Sequence, residues 1–417
     1  MKKKNPRSKA MIQYILFTTL VVMTPFIVVT RFLQGTVHDV SHMGFFIFGH
    51  EIPYVASAAV LGLIVFLIWQ RKNITLRRIG GGFVIVGMIA ISQKVQDLYG
   101  GMSVYDLQRN WHYVAYSAYV FFFFRAFNLR NLPQHKAIVY SFTSAFLLSI
   151  FDEFFQLFFS NRVFDLCDQA KDCWGCIMGL ILILFVSETY GTIKIRGQRI
   201  WKKRFKDYFK DPLSAFVMVG LFALVFILIS PLLTDHSQII TLVIFTLVAY
   251  AVVFVVVHFT QFKPFRIAFI SLFAICVLLL TVSFVKNKDG YITHYSYHQV
   301  LSVPVGLVIY KGLPVPFFDL MIYPDGFPRL VDKKHFFNNV DKKFFLDHEP
   351  SILLVGTGWE GQGGKGFTKE EGTYFTFNNF SIKGTQIIIL KTSEACKLYN
   401  RLRSEGKNVL FVIHNTC

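Results

Sequence analysis

The feature that most constrains this chain is a series of apolar runs too long for a soluble fold. In hydrocarbon each backbone N–H and C=O must be paired within its own segment, so runs of about 20 apolar residues are restricted to helices. Such runs lie at 11–32, 52–69, 79–95, 111–128, 137–159, 173–190, 213–233, 239–258 and 266–286. The third is the weakest, because Gly80, Gly81 and Gly82 open it and Lys94 closes it. Composition agrees: 53% of the 417 residues are hydrophobic, 16% are charged, and 47 are phenylalanine. That balance lies outside the range of ordinary soluble domains. Met1–Ala10 is basic, but the run that follows is long enough to span, so it reads as a first membrane helix rather than a cleaved signal.

The net charge of +18 is topological rather than a sign of nucleic-acid binding, because Lys and Arg accumulate on cytoplasmic loops. With nine spans and the amino terminus inside, the inner loops carry five (Met1–Ala10), four (Arg71–Arg78), three (Arg125–Lys136), eight (Lys194–Lys210) and two (Lys263–Arg266) Lys or Arg residues. The outer loops are sparse in them. In "RIWKKRFKDYFKD", residues 199–211, Trp201, Phe205 and Tyr208 recur at i, i+4 and i+7. That is the pattern of a helix lying along an anionic interface, or of a charged connector. After Phe284 the composition changes. Strand-like runs at Ser351–Val355, Gln386–Leu390 and Val409–Ile413, with a helical stretch at Ser393–Glu405, read as a soluble α/β domain. The expected fold is therefore an all-α polytopic membrane bundle of about nine helices followed by a soluble α/β domain. Its parts are 1–190 (six spans), a basic connector at 191–212, three more spans at 213–286, and the α/β domain at 287–417, placed outside by the span count.

Within this apolar chain, five carboxylates gather around one bend: Asp152, Glu153, Asp165, Asp168 and Asp172, with Arg162 among them. At about 100° per residue, Asp165, Asp168, Asp172, Gly175, Cys176 and Gly179 fall within a sector of roughly 100°. Glycines four apart let another helix approach closely, so this face is expected to point into the bundle. The preceding span ends with Asp152, Glu153 and Gln156. The span before that opens "DLQRNWHYVAY", stacking His112 and Tyr116 near Arg109. All these groups sit at the same ends of three consecutive spans. Any single acid at a helix end is ordinarily just solvated. A set of them near a membrane faces a polar cavity or one another, and mutual repulsion requires pairing with Arg109, Arg162 or a cation, or protonation. The candidate acid–base groups are Asp152, Glu153, Asp168 and His112. The candidate binding groups are Arg109, His112, Tyr116, Gln156, Arg162, Asp165, Asp168 and Asp172.

These residues resemble a known pattern. Asp152-Glu153-x-x-Gln156-x-Phe158, then Arg162, Asp168 and Gly175-x-x-x-Gly179, resemble the signature of the VanZ-like family. Upstream, Asp106, His112, Tyr116 and Arg125 resemble that family's second motif, the two together covering about residues 85–190. Asp172 departs from it, since family members usually have Asn there, and so does Leu107, where Lys is usual. The resemblance implies a multi-pass envelope protein of the bacterial cytoplasmic membrane, associated with resistance to glycopeptides such as teicoplanin, and names no reaction. In the tail, "ILLVGTGWEG" and "KTSEACKLYNRLRSEGKNVLFVIHNTC" resemble the small α/β domain shared by a mitochondrial complex I assembly factor and an adipogenesis-associated protein. That implies an interaction or assembly module in families found inside cells or mitochondria, whereas the span count places this domain outside. "TYFTFNNFSIKG" reads as extended where those relatives carry a helix.

Other motifs are weaker. "GTGWEGQGGKGF" fails as a phosphate loop, because Trp359 stands where the first glycine is required and Gly366 where Ser or Thr is. Cys173-x-x-Cys176, with Cys167 nearby, lacks a full set of metal ligands and reads as packing. Cys396 reads as core. His42, His50, Glu51, Trp359 and Glu360 read as loop residues. No metal or cofactor is expected. The expected partners are membrane lipids, a lipid-linked or glycopeptide-like ligand, and a protein partner for the tail. Binding without turnover is the first functional expectation. Acid–base catalysis on a membrane-embedded substrate is the second. Cation-coupled transport is the third, disfavoured because no second polar layer is evident near mid-bilayer.

Overall fold

The computed structural model describes residues 6–28, 40, 43–47, 50–54, 57–58, 61, 65, 68, 75–100, 107–127, 131–156, 166–187, 193, 200, 202, 204–230, 239–287, 289–300, 303–316, 318–331, 350–365, 367–370, 373–376, 381–382 and 384–415. The expected second span at 52–69 falls largely outside them, as do Trp201 and Cys417. The chain forms two units. One is Met1–Asp97 with Met102–Ser230 and Thr246–His258; the other is Leu98–Gly101 with Pro231–Phe245 and Phe259–Cys417.

The first unit contains α1 (Pro6–Val28), a hairpin of β1 (Gly44–Ile47) and β2 (His50–Pro53), α2 (Leu76–Gly100), α3 (Leu107–Ala126), α4 (Gln134–Gln156), α5 (Leu166–Ile181), α6 (Pro212–Ile229) and most of α7 (Ile239–Phe259). The second unit opens with α8 (Lys263–Lys286). Among the described residues four helices are long and apolar enough to cross a membrane: Gln134–Gln156, Leu166–Ser187, Pro212–Ile229 and Lys263–Lys286. Ser8–Thr24 and Val243–Phe259 are shorter apolar helices. His50 and Glu51, expected in a loop, lie on β2, paired with Ile47 and Phe46.

Helix α5 is the axis of the first unit, buried on almost every face from Gln169 to Ile181 apart from Lys171. Its small-residue face meets α3 almost backbone to backbone. A Cβ added at Gly175 would lie 2.9 Å from Tyr113 Cα, and one at Gly179 would lie 2.7 Å from the Ser117 carbonyl. The Ser117 hydroxyl donates to the Gly175 carbonyl at 2.8 Å. On other sides, the Trp174 indole donates to the Met88 carbonyl of α2 at 3.0 Å, and the Cys176 thiol faces the Ser141 carbonyl of α4. Cys173 and Cys176 are fully buried packing residues, as expected. Beyond Ile181 the helix widens into a π turn, Leu182–Ser187. Such turns disturb the backbone ladder, and here the Arg77 guanidinium donates to the carbonyls of Leu184 and Ile193 while lying over the Phe185 ring.

The connector corrects one expectation. Phe205–Lys210 is a single 3-10 segment that starts after an extended Arg204, not part of a longer α-helix carrying Phe205 and Tyr208 on one face. Tyr208 is buried, hydrogen-bonded to His258 Nδ1 at 2.7 Å and packed edge-on to Phe254, whereas Phe205 and Phe209 are half-exposed. The cause is local. Pro212 fixes the start of α6, and the Asp211 carboxylate caps it, accepting from the Ser214 amide at 2.9 Å and the Ser214 hydroxyl at 2.7 Å. Burial opposes ionisation of Asp211, but these bonds and Lys202 at 3.3 Å outweigh it and hold the carboxyl below its ordinary value.

In the second unit α8 is followed by β3 (Ile292–Val300), β4 (Val303–Tyr310) and β5 (Leu313–Pro316), an antiparallel sheet. Then come β6 (Asp319–Ile322), β7 (Pro328–Val331), β8 (Ile352–Thr357), β9 (Phe367–Glu370), β10 (Thr373–Thr376), β11 (Ser381–Ile382), β12 (Gln386–Leu390), α9 (Thr392–Ser404) and β13 (Val409–His414). The main sheet has the order β12-β8-β13-β6-β7, parallel across its first three strands and antiparallel at β6 and β7. Strands β8 and β13 are buried throughout, as expected of parallel strands covered on both faces. Helix α9 crosses from β12 to β13 and buries Ala395, Cys396, Tyr399 and Leu402. Burial pushes the Cys396 thiol up to about 12, which makes it an inert core residue. Residues 373–376 and 381–382 are strands in a third small sheet with β9, so the extended reading of that segment holds there. The glycine-rich loop after β8 is stitched to the core. The Gly358 amide donates to the Thr392 hydroxyl, which donates to the His414 carbonyl.

A glycine series tests the α3–α5 contact. Gly179→Ala should cost about 2 kcal/mol, because backbone atoms must move apart. Gly81→Ala, which meets only the Val186 side-chain tip and Phe185, should cost less. Gly82→Ala, with nothing within 4 Å, should be neutral or stabilise by up to about 1 kcal/mol. Thermal unfolding in detergent micelles reads the order. The capping carboxylate gives a second test. Because its native value is depressed, its contribution is complete above the unfolded value near 3.8 and fades as pH falls through the native value. Asp211→Asn should therefore lower the melting temperature at pH 6 and match the parent in strong acid.

Candidate functional site

The polar residues at one end of the first unit come from the first turns of α3 and α5 and the last turns of α4. The basic residues collect at the other end, in the first turn of α2 (Arg77, Arg78), the last turn of α3 (Arg125), the start of α4 (Lys136) and the connector before α6. The α3–α5 contact creates the polar site. With Tyr113 pressed on Gly175, His112 lies opposite Asp172, three residues earlier on α5. The His112 Nδ1–H donates to Asp172 Oδ1 at 2.9 Å, and the Ser149 hydroxyl of α4 donates to Asp172 Oδ2 at 2.6 Å. Both oxygens of an aspartate that is 1% exposed are thereby satisfied, which a buried carboxylate requires.

The site has a floor and a lip. The floor is Asp172, Ser149, Tyr116, Asp152, Glu153, Gln156 and Gln169, all buried. Gln156 Nε2 donates to Glu153 Oε1 at 2.9 Å. Asp152 Oδ1 and Gln169 Nε2 are buried without a hydrogen-bond partner among the described residues. The lip is His112, Asp168 and Lys171, with side chains 17%, 24% and 15% exposed. Lys171 Nζ donates to Asp168 Oδ1 at 2.6 Å, and Asp168 Oδ2 lies 3.6 Å from His112 Nε2. The Asp172 bond fixes the histidine ring so that Nε2 faces the lip. That is the arrangement in which a carboxylate orients an imidazole for proton exchange or hydrogen bonding with a bound group.

Of the residues read from sequence, His112, Tyr116, Asp152, Glu153, Gln156, Asp168 and Asp172 all line this end of the bundle. Arg162 and Asp165 lie outside the described residues. Arg109 lies in the first turn of α3, with its side chain outside them. The counter-charges described are instead Lys171 and His112. Sequence reading missed Lys171 and Ser149. Lys171 stands three residues after Asp168, the spacing of neighbours on one helical face. Ser149 stands three before Asp152, one turn deeper on α4. A second polar layer was also missed: the Tyr119 hydroxyl bonds Ser144 at 2.6 Å and Tyr14 at 3.1 Å, deeper in the bundle. No group of three His, Cys, Asp or Glu among the described residues is arranged to hold a metal ion.

Residues 105–187 match the VanZ/LLP1 family model. The match spans α3, α4, α5 and the π turn, the helices that build the site. The VanZ-like region thus supplies each site residue named above, within a membrane protein. A solved structure titled "MT938" aligns with 31% of this chain and 99% of its own, at 22% identity and a TM-score of 0.23. A comparison with curated proteins gave no match.

The central carboxylate supplies the test. Asp172→Ala leaves the Ser149 hydroxyl and a buried imidazole nitrogen unpaired and should cost about 3 kcal/mol. Asp172→Asn keeps an oxygen for the histidine and an amide that donates to Ser149, and should cost less than half as much in the same unfolding measurement.

Proposed function

We propose that this chain is a multi-pass protein of the bacterial cytoplasmic membrane whose VanZ-like region binds the polar head of a lipid-linked or glycopeptide-like cell-envelope molecule without turning it over. The observation that carries this reading is the partly exposed lip of His112, Asp168 and Lys171 over a buried floor rich in acceptors. Ionisable groups held at such cost in an apolar bundle are generally functional. The site's chemistry narrows the ligand. Four described carboxylates face one described lysine and one described histidine, and Asp152 offers an oxygen that has no hydrogen-bond partner among the described residues. A fitting head group is therefore rich in hydrogen-bond donors, such as amino-sugar hydroxyls or a primary ammonium. The loop charges support the topology of nine spans, amino terminus inside, polar site and tail domain outside. The tail domain, by its sequence resemblance, would dock a protein partner.

A second reading has one observation in its favour: the Asp172-oriented His112, with Nε2 on the lip, is built as a general base would be. On that reading the same lipid-linked molecule is a substrate.

Both are tested by reconstituting the chain in nanodiscs with an envelope lipid extract and recording native mass spectra. Binding predicts a retained lipid-linked species of unaltered mass, weakened at least about tenfold in His112→Ala and Asp168→Asn. A retained or released species of altered mass would establish the catalytic reading instead, and retention unchanged in both variants would sink the site assignment. Labelling Cys417 from outside intact cells with an impermeant maleimide, against Cys417→Ser, tests the topology. Labelling only after lysis would remove the external tail.

A further inference from the structure

The end of α8 is fastened to the tail domain rather than leading into it through a free linker. The Ser283 hydroxyl in its last turn donates to the Gly312 carbonyl at 3.0 Å, and Asn287 Nδ2 donates to the Ser283 carbonyl at 2.8 Å. Gly312 and Lys311 form the tight turn between β4 and β5, both with positive φ, 72° and 50°. That is the mirror-type hairpin turn in which glycine is easy and lysine unusual. It directs Lys311 Nζ over the Phe284 ring of α8, 5.7 Å from its centre, and over Tyr310 at 5.6 Å. The next turn along, between β6 and β7, belongs to the same face. The Tyr310 hydroxyl donates to the Gly326 carbonyl at 2.8 Å, and a Cβ added at Gly326 would lie 3.5 Å from Lys311 Nζ. Arg403 Nη1 donates to the Pro324 carbonyl at 2.6 Å. At the tip of this turn Phe327 is 63% exposed, its ring stacked only loosely on Tyr323, 6.4 Å between centres. The charged groups at this turn are Lys311 and Arg403, whose side chains approach Gly326, against Asp325, whose carboxylate accepts from the Phe327 amide at 2.8 Å. Lys286 ends α8, two residues after Phe284.

We infer that this face of the tail domain, Phe327 with Lys286, Lys311 and Arg403, rests in the headgroup layer of the bilayer that α8 crosses. Helix α8 is 24 residues long and apolar enough to span, so Lys286 marks where the chain leaves hydrocarbon. The bond from Ser283 to Gly312 and the Lys311–Phe284 contact hold the domain against that exit, and Lys311, lying also beside Gly326, ties the Phe327 turn to the same end of α8. An exposed aromatic beside lysine and arginine at that depth has the composition of an interfacial anchor, the ring entering the acyl boundary and the cations meeting lipid phosphates. The occupant of the face is then lipid, and the opposite edge of the sheet, at β12, is left for a protein partner.

The experiment uses the full chain in nanodiscs with Cys276→Ser and Cys417→Ser and a bimane label at Phe327→Cys or, four strands away, at Gln386→Cys. Bilayers with and without brominated phospholipid, and aqueous iodide, report depth. The label at 327 should be quenched at least about twofold by brominated lipid and shielded from iodide, while the label at 386 shows the reverse. Equal behaviour at the two sites, or iodide access at 327 without lipid quenching, would overturn the inference. A third sample labelled at native Cys276 separates this failure from a failure of α8 to enter the bilayer, because that label should be quenched by brominated lipid in either case if α8 spans.

Discussion

The close approach of α3 and α5 at Gly175 and Gly179 is the constraint on which the rest of the first unit depends. In lipid no hydrophobic force drives helices together, so contact rests on packing and on polar bonds across the seam. Here the two act at successive turns. Two glycines bring the backbones together, the Ser117 hydroxyl locks onto the Gly175 carbonyl, and one turn outward the same seam places His112 on Asp172. A bulkier residue at either glycine would separate the helices and pull the imidazole away from its carboxylate. Packing and site are therefore one feature, and the extended burial of α5 follows from it.

Much of this was legible from sequence because it is periodic. The helical spacing of Asp168, Asp172, Gly175 and Gly179 placed them on one face, and glycines four apart implied a helix against that face. The acid–histidine convergence followed from loop parity alone. In the tail, β8 and β13 were readable as continuous apolar runs, because parallel strands covered on both faces have no alternation to hide them. Strand β12 was readable from its three isoleucines, although it is an edge strand and only partly buried. Strands β3 to β7 were not. Their residues, such as "THYSYHQ" and "LPVP", mix aromatics with polar residues and proline, and sheet partners set them more than propensity does.

Each miss has its own physical cause. Helix α5 begins at Leu166, earlier than its apolar run, because its first turn is held by charge rather than by hydrophobicity. Asp168 suits a helix amino terminus and pairs with Lys171. A hydropathy reading starts a span where apolar residues start and so loses the turn that carries the lip. Ser149 was missed because a lone serine in an apolar helix carries no pattern; only the position of Asp172 across the seam gives it a role. Tyr208 on the connector fails in the opposite direction. Its spacing fitted an amphipathic face, but a buried hydrogen bond to His258 outweighed the pattern.

The departure at Asp172 ties the site's structure to its chemistry. A carboxylate there accepts from both His112 and Ser149, so the imidazole is oriented and the serine is a donor. With asparagine, as in the pattern this sequence resembles, the amide must give one hydrogen bond and accept another, and the serine must accept. The geometry survives, but the charge does not. A carboxylate only accepts, so Nδ1 must be the nitrogen that donates to the floor, and Nε2 is the ring nitrogen left facing Asp168 and the lip. The floor thus sets which ring nitrogen meets a bound head group, and with it which partner atoms that group must supply.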